Sequence, residues 1–133
     1  MSDKNIKLFI DDIRKCPDGW VPVKTVQEAI TFLHFYRDRI KAISFDHDIS
    51  IPVVVGGEWK NTPSPETFTA VAYYVVALAE ATDNFEWGCV VHSSNPEGRA
   101  KIKTILMSGG IDCKDVPLPI EKRTDFSTEK GVF

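Results

Sequence analysis

The sequence predicts an α/β domain with a largely parallel central sheet of about five strands and helices on both faces. Three observations lead there. Short apolar runs alternate with segments of helical spacing along the chain, the order expected when strands are joined by helical crossovers. Three of those runs stop abruptly at polar clusters, namely Asp11-Asp12, Asp46-His47-Asp48 and His92-Ser93-Ser94-Asn95. The length of 133 residues, 43% of them hydrophobic and 26% charged, suits one domain with one core. A single domain over residues 1–133 is therefore expected, with a polar, peripheral tail at about 119–133.

The elements follow in order. Lys7–Ile10 reads as a strand that ends at Asp11. Pro17, Asp18 and Gly19 make Ile13–Trp20 a loop. Val21–Val23 is a second short strand. Thr25 and Glu28 have the spacing of a capping box, and Val26, Ala29, Ile30 and Leu33 follow at helical intervals. Ala42–Phe45 is the next strand. Residues 49–63, with Gly56-Gly57, Trp59 and Pro63, are long for a plain connector and read either as a binding loop or as a small hairpin over Val53–Trp59. Ser64-Pro65-Glu66 carries the signals of a helix start. Phe68, Val71, Ala72, Val75, Leu78 and Ala79 would form the buried stripe of that helix. Gly88–Val91 is a strand. Asn95-Pro96-Glu97 opens a third helix, with Ile102, Ile105 and Leu106 inward and Gly109-Gly110 as its stop. A weaker last strand is expected within Ile111–Leu118.

Composition excludes several classes of function. A net charge of −3 lacks the basic surplus of a duplex nucleic-acid binder. Cys16, Cys89 and Cys113 form no zinc-type spacing, and an odd count fits a reducing compartment. The start MSDKNIK is polar, unlike a signal peptide, and no apolar run reaches the roughly 20 residues of a membrane span. The expectation is a cytoplasmic protein with no membrane partner.

In parallel α/β sheets ligands bind beyond the carboxyl ends of the strands. The three polar clusters would therefore meet on one rim. Asp11, Asp12, Asp46 and Asp48 would repel one another there, and a divalent cation is the common remedy, Mg²⁺ or Mn²⁺ being the expected ion. Each aspartate by itself could equally cap a turn. His47 and His92 have the chemistry of a general base and general acid, and equally of metal ligands or hydrogen-bonded structural groups. His34, on a helix without polar neighbours, is read as structural. Ser93 and Asn95 lead into a helix N-terminus, a natural seat for phosphate, and Arg14, Lys15 and Arg99 are cations in reach of one. Trp20 and Trp59 could stack on a base or pack in the core.

The strings LFIDDIRKCPDGW, TVQEAI, ISFDHD and VVHSSNPEG resemble the cyclic-phosphate-processing receiver-like family, a divergent branch of the receiver domains of two-component signalling. The resemblance runs from about Leu8 to Met107. It implies a receiver-like (flavodoxin-like) three-layer sandwich, action on cyclic phosphates, and a setting in bacteria or phage-infected bacterial cells, in conflicts between phage and host. It points to Asp11, Asp12, Asp46, His47, Asp48, His92, Ser93 and Asn95. The chain departs from ordinary receivers in three ways. No helix fits between the first two strands, His47 directly follows the would-be phosphoacceptor Asp46, and no lysine clearly ends a fifth strand.

The leading expectation is a phosphoesterase that opens a cyclic phosphate, either a 2′,3′-cyclic nucleotide end or a cyclic oligonucleotide signal. His47, His92 and Asp46 would carry the catalysis. Arg14, Ser93 and Asn95 would hold phosphate, and Asp11, Asp12, Asp46 and Asp48 the metal. The alternatives are a protein that binds and sequesters a cyclic nucleotide without cutting it, a phosphoaccepting receiver using Asp46, and a scaffold with a vestigial rim.

Overall fold

The computed structural model describes residues 4–82, 86–93 and 95–116. The described residues form seven strands and three α-helices: β1 Ile6–Ile10, β2 Val21–Val23, α1 Val26–Tyr36, β3 Ile40–Phe45, β4 Asp48–Val55, β5 Glu58–Thr67, α2 Thr69–Ala81, β6 Gly88–Val91, α3 Pro96–Ser108 and β7 Cys113–Asp115. A 3₁₀ turn, Arg37–Arg39, links α1 to β3. Five strands form one parallel sheet in the order β2-β1-β3-β6-β7. This is the receiver-like α/β sheet that the sequence predicts, but the expected three layers with helices on both faces are not met among the described residues, where all three helices pack on one face. Among the described residues, no helix is long and apolar enough to cross a membrane.

Side chains alternate across a sheet, and here the alternation sorts the core into two. Leu8, Ile10, Ile43, Phe45, Cys89 and Val91 share one cluster with residues of all three helices, including Ala29, Leu33, Val71, Val75, Ile102 and Leu106. Phe9, Ala42 and Val90 belong to a second cluster, completed by Trp20 and Val116 with Cys16 against it. Among the described residues, the layer on that second face comes from the loop after β1 and from Val116, with no helix in it. Trp20 is thus a core residue, with the Lys7 ammonium 5.4 Å from its ring centroid.

The missing helix between β1 and β2 is replaced by a short extended return, although parallel neighbours usually need a longer crossover. Asp11 shapes it. Its Oδ1 accepts the backbone N–H groups of Ile13 and Arg14, both at 2.8 Å, and so turns the chain directly after the strand. Gly19, at φ 86°, supplies the left-handed residue before Trp20.

The start of α1 agrees with its sequence signal. Thr25 Oγ1 accepts Glu28 N–H at 3.0 Å, and Glu28 Oε1 accepts Lys24 N–H at 2.8 Å. The start of α2 does not. That helix begins at Thr69 with no side-chain cap, and Ser64-Pro65-Glu66 lies in β5. The segment read as loop or small hairpin is a two-stranded antiparallel ribbon over Asp48–Thr67, turning at Gly56-Gly57. Local Ser-Pro-Glu chemistry is overridden because Asp48 pairs with Thr67 across the ribbon. Its prolines are tolerated because both strands of a two-stranded ribbon are edges. Val54, Val55 and Trp59 stand exposed near its tip, Trp59 at 74%. Lys114 is exposed within β7, and that strand leads into the buried Val116 instead of a lysine. The expected tail at about 119–133 lies outside the described residues.

Candidate functional site

The sheet's hydrogen bonding runs one residue past the strands. Asp46 N–H donates to Ile10 O at 2.9 Å, His92 N–H to Phe45 O at 2.8 Å, and Asp11 N–H to Val23 O at 3.1 Å. Asp11, Asp46 and His92 therefore stand in a row at the carboxyl ends of β1, β3 and β6. By the same alternation that sorts the core, the three side chains lie on the helix-free side, one pleat beyond Phe9, Ser44 and Val90. His47, one residue after Asp46, falls on the opposite side, toward the helices. The rim thus has two compartments.

The first is a buried acidic pocket. His92 is fully buried, its ring stacked on Phe9 with centroids 4.6 Å apart and planes at 4°. Its Nε2 lies 2.9 Å from Asp11 Oδ2, and its Nδ1 lies 2.6 Å from Ser44 Oγ. Burial would raise the Asp11 carboxyl, but the hydrogen bonds from His92 and from the backbone of Arg14 and Ile13 outweigh it and hold Asp11 down at about 2. Burial pushes His92 below its ordinary range, against the pull of Asp11. An ionised Asp11 only accepts, so a neutral His92 must donate Nε2–H to it and accept the Ser44 hydroxyl at Nδ1. Arg14 completes the pocket, with Nη1 3.1 Å from Asp11 Oδ2 and 3.8 Å from Asp46 Oδ1.

Asp46 is the uneasy member. Burial first, and then the charge of Asp11, push its carboxyl up to about 7, despite the His47 N–H bond at 2.8 Å and nearby Arg14. Asp11, Asp46 and His92 can each offer a ligand atom within 4.8 Å of the others. Asp46 Oδ2 accepts no hydrogen bond among the described residues, and the repulsion from Asp11 that Arg14 only partly offsets is what a cation would cancel. The donor set fits a hard divalent ion, with Asp46 as its most available ligand. Asp12, expected in this set, is half-buried beside it in sequence but outside that trio. Asp48, also expected there, points its carboxylate elsewhere.

The second compartment is a cleft of about 520 Å³, lined by His47, Glu66, Thr67, Thr69, Ala70, Asn95, Glu97, Gly98 and Lys101. It lies where the N-termini of α2 and α3 meet the base of the ribbon. His47 Nδ1 is 2.7 Å from Asp48 Oδ1. Asn95 Nδ2 donates to the same Asp48 oxygen at 3.2 Å, while Asn95 Oδ1 caps α3 by accepting Gly98 N–H at 3.1 Å. Gly98 has a steric reason to be glycine, since a Cβ there would overlap the His47 ring at Cγ and Nδ1. The imidazole is thus set by a carboxylate, an amide and a helix turn. With Nδ1–H given to Asp48, Nε2 is left as an acceptor, and it is buried with no hydrogen-bond partner.

The sequence-predicted residues therefore divide. Asp11, Asp46, His92 and Arg14 come together in the pocket. His47, Asp48 and Asn95 come together at the cleft. His92, expected to move protons, has both ring nitrogens engaged and no exposed surface. Arg14, expected to hold phosphate, is committed to Asp11 and Asp46. Ser93, expected likewise, is buried with its Oγ accepting Asn95 N–H at 3.1 Å, and its carbonyl accepts Arg99 Nη1–H at 2.8 Å. Thr67, Thr69, Glu97 and Lys101 were not singled out in the sequence. Their placement depends on how α2 packs on α3, which no local motif encodes.

Comparison with known proteins gives one family match. The model of the cyclic-phosphate processing receiver domain covers residues 6–108, which contain every site residue described above. No curated protein matches the chain, and no solved structure does. The match spans well over half of the sequence, and the chain belongs to the cyclic-phosphate processing receiver domain family.

Proposed function

We propose that the protein is a phosphoesterase that opens a cyclic phosphate in the α2–α3 cleft, with His47 as the proton-transfer group. The observation that carries this reading is the His47 ring beside two helix N-termini, its Nδ1 held by Asp48 and its buried Nε2 without a partner. A 2′,3′-cyclic nucleotide end or a cyclic oligonucleotide signal would supply the phosphodiester. Water attacks phosphorus, the bond to one ribose oxygen breaks, and a proton must pass from the water to that leaving oxygen. His47 Nε2 takes the proton as the bond to water forms and returns it to the leaving group. Asp48 stabilises the imidazolium between those two events, and Asn95 keeps Asp48 in place.

Asp11 and Asp46 are the residues that would hold Mg²⁺ or Mn²⁺. Held there, on the helix-free side of the rim, such an ion would neutralise the carboxylate pair. His92 acts as a positioning residue for Asp11 in this reading, and Arg14 balances the charge of the pair. The compartment of action is proposed to be the cytoplasm of a bacterial or phage-infected cell.

The test is to incubate the protein with 2′,3′-cyclic mononucleotides and with cyclic di- and trinucleotides, in Mg²⁺, Mn²⁺ or chelator, and to resolve products by chromatography. Linear product from one ligand names the substrate. Ligands retained by the protein but recovered intact would point to sequestration instead.

A further inference from the structure

We propose that the cleft selects a singly charged phosphodiester over a doubly charged phosphomonoester, with Lys101 as the partner of the anion and Glu97 as the repelling charge. This rests on the cleft being the ligand site proposed above. It names what that site tolerates.

Lys101 is distinguished from its neighbours by being uncommitted. Three cations project from α3. Arg99 donates to Ser93 O at 2.8 Å and lies 3.7 Å from Asp115, and Lys103 is 3.2 Å from Asp115. Lys101 makes no ion pair or hydrogen bond among the described residues, yet it is the one of the three that lines the cleft. Glu97 sits one turn before it, at the spacing of a helical ion pair, and also lines the cleft without pairing among the described residues.

The anion seat beside Lys101 is at α2 more than at α3. Asn95 caps α3, whereas Phe68, the residue before α2, offers no capping side chain, and the Thr67 hydroxyl takes Thr69 N–H only at 3.4 Å. The Thr67 and Thr69 hydroxyls, 2.9 Å apart, flank that weakly capped end and line the same cleft. Val71 N–H is taken by Phe68 O, so what this end offers an anion is the Ala70 N–H and the positive end of the helix dipole. An independent observation points the same way. His47, nine-tenths buried at its side chain, lines the cleft, and its buried Nε2 has no hydrogen-bond partner.

Charge then sets a limit on the ligand. A phosphodiester carries one negative charge, while a phosphomonoester carries roughly 1.5 to 2 at neutral pH. One lysine and one helix end balance the first. The extra charge of the second meets Glu97, and Glu66 lines the same cleft. Opening a 2′,3′-cyclic phosphate converts one into the other, so the same arrangement that admits substrate expels product.

The experiment is calorimetric titration of the full-length chain, in chelator at low ionic strength and pH 8. The probes are 2′,3′-cyclic AMP, checked by chromatography for integrity afterward, and adenosine 3′-monophosphate. Wild type should bind the cyclic diester about fivefold more tightly, a gap set by partly screened charges. Glu97→Gln should close about threefold of that gap by tightening the monoester, and Lys101→Gln should weaken both ligands. Both positions are exposed, so folding should be unaffected. Equal affinities in wild type, an unchanged ratio in Glu97→Gln, or no binding of either probe would overturn the proposal. A preserved preference with the cyclic probe never hydrolysed under any metal condition would leave charge selection standing and remove the phosphoesterase reading.

Discussion

The ring of His47 occupies the space that a side chain at position 98 would need. A Cβ added to Gly98 would lie only 2.7 Å from His47 Cβ and closer still to Cγ and Nδ1. One turn of α3 therefore dictates where the imidazole stands. Gly98→Ala should displace the ring, cost about 1–3 kcal/mol of stability through overpacking, and lower turnover at least tenfold. Thermal or urea unfolding and steady-state rates would check this. The His47→Gly background gives a sharper control, because there every clashing atom, Cβ included, is gone and the stability cost of Gly98→Ala should largely vanish.

Asn95 serves two masters, the α3 N-terminus and Asp48. Asn95→Ala should cost about 1 kcal/mol from the lost cap. It should also reduce turnover by freeing Asp48. Asn95→Asp would keep the cap acceptor but place a second carboxylate against Asp48. It should therefore recover stability without recovering rate. Unfolding curves set beside rate constants separate the two effects.

The acidic pocket predicts a particular pH dependence. Asp46 is raised to about 7 from an ordinary value of 3.8, so its ionisation opposes folding. That cost is absent below about pH 3.8 and accumulates as pH rises toward 7. At roughly 1.4 kcal/mol per pKa unit it amounts to at most about 4 kcal/mol. Asp11 has the opposite sign. Held at about 2, it contributes stability above pH 3.8 that is lost as pH falls through 2. Asp46→Asn should thus stabilise the metal-free protein at pH 8 and have little effect near pH 4. Urea titrations at several pH values measure it, and an equal effect at both ends would contradict the assignment.

The same carboxyl governs the proposed cation. Protons and Mg²⁺ or Mn²⁺ would compete for Asp46, so affinity should strengthen as pH rises through 7 and fall below it. Asp46→Asn should abolish binding, whereas Asp48→Asn should leave it intact, because Asp48 faces His47 and Asn95. Mn²⁺ binding followed by electron paramagnetic resonance reads this without reference to turnover.

Much of this was legible in the chain itself. The polar clusters after β1, β3 and β6 located the rim, and Thr25 and Asn95 marked their helix starts. Ser64-Pro65-Glu66 misled because a cap signal is local, whereas the pairing of Asp48 with Thr67 is a tertiary fact. The division of the rim was encoded but easily overlooked. Consecutive residues after a strand point to opposite faces, so Asp46 and His47 could never share a compartment. Lys101 and Thr69 carried no signal, because only the packing of α2 on α3 brings them to one cleft.

The central claim is that His47 alone of the two rim histidines moves the proton. It is tested most directly by measuring the rate against pH for wild type, His47→Gln and His92→Gln on whichever cyclic phosphate the wild type opens. His47→Gln should lose at least two orders of magnitude, in the range set by loss of a general acid–base group. His92→Gln should lose stability and some rate but keep the wild-type profile, since its ring nitrogens serve Asp11 and Ser44. A His47→Gln enzyme that retains its rate, or a His92→Gln enzyme whose profile loses an ionisation, would contradict the account.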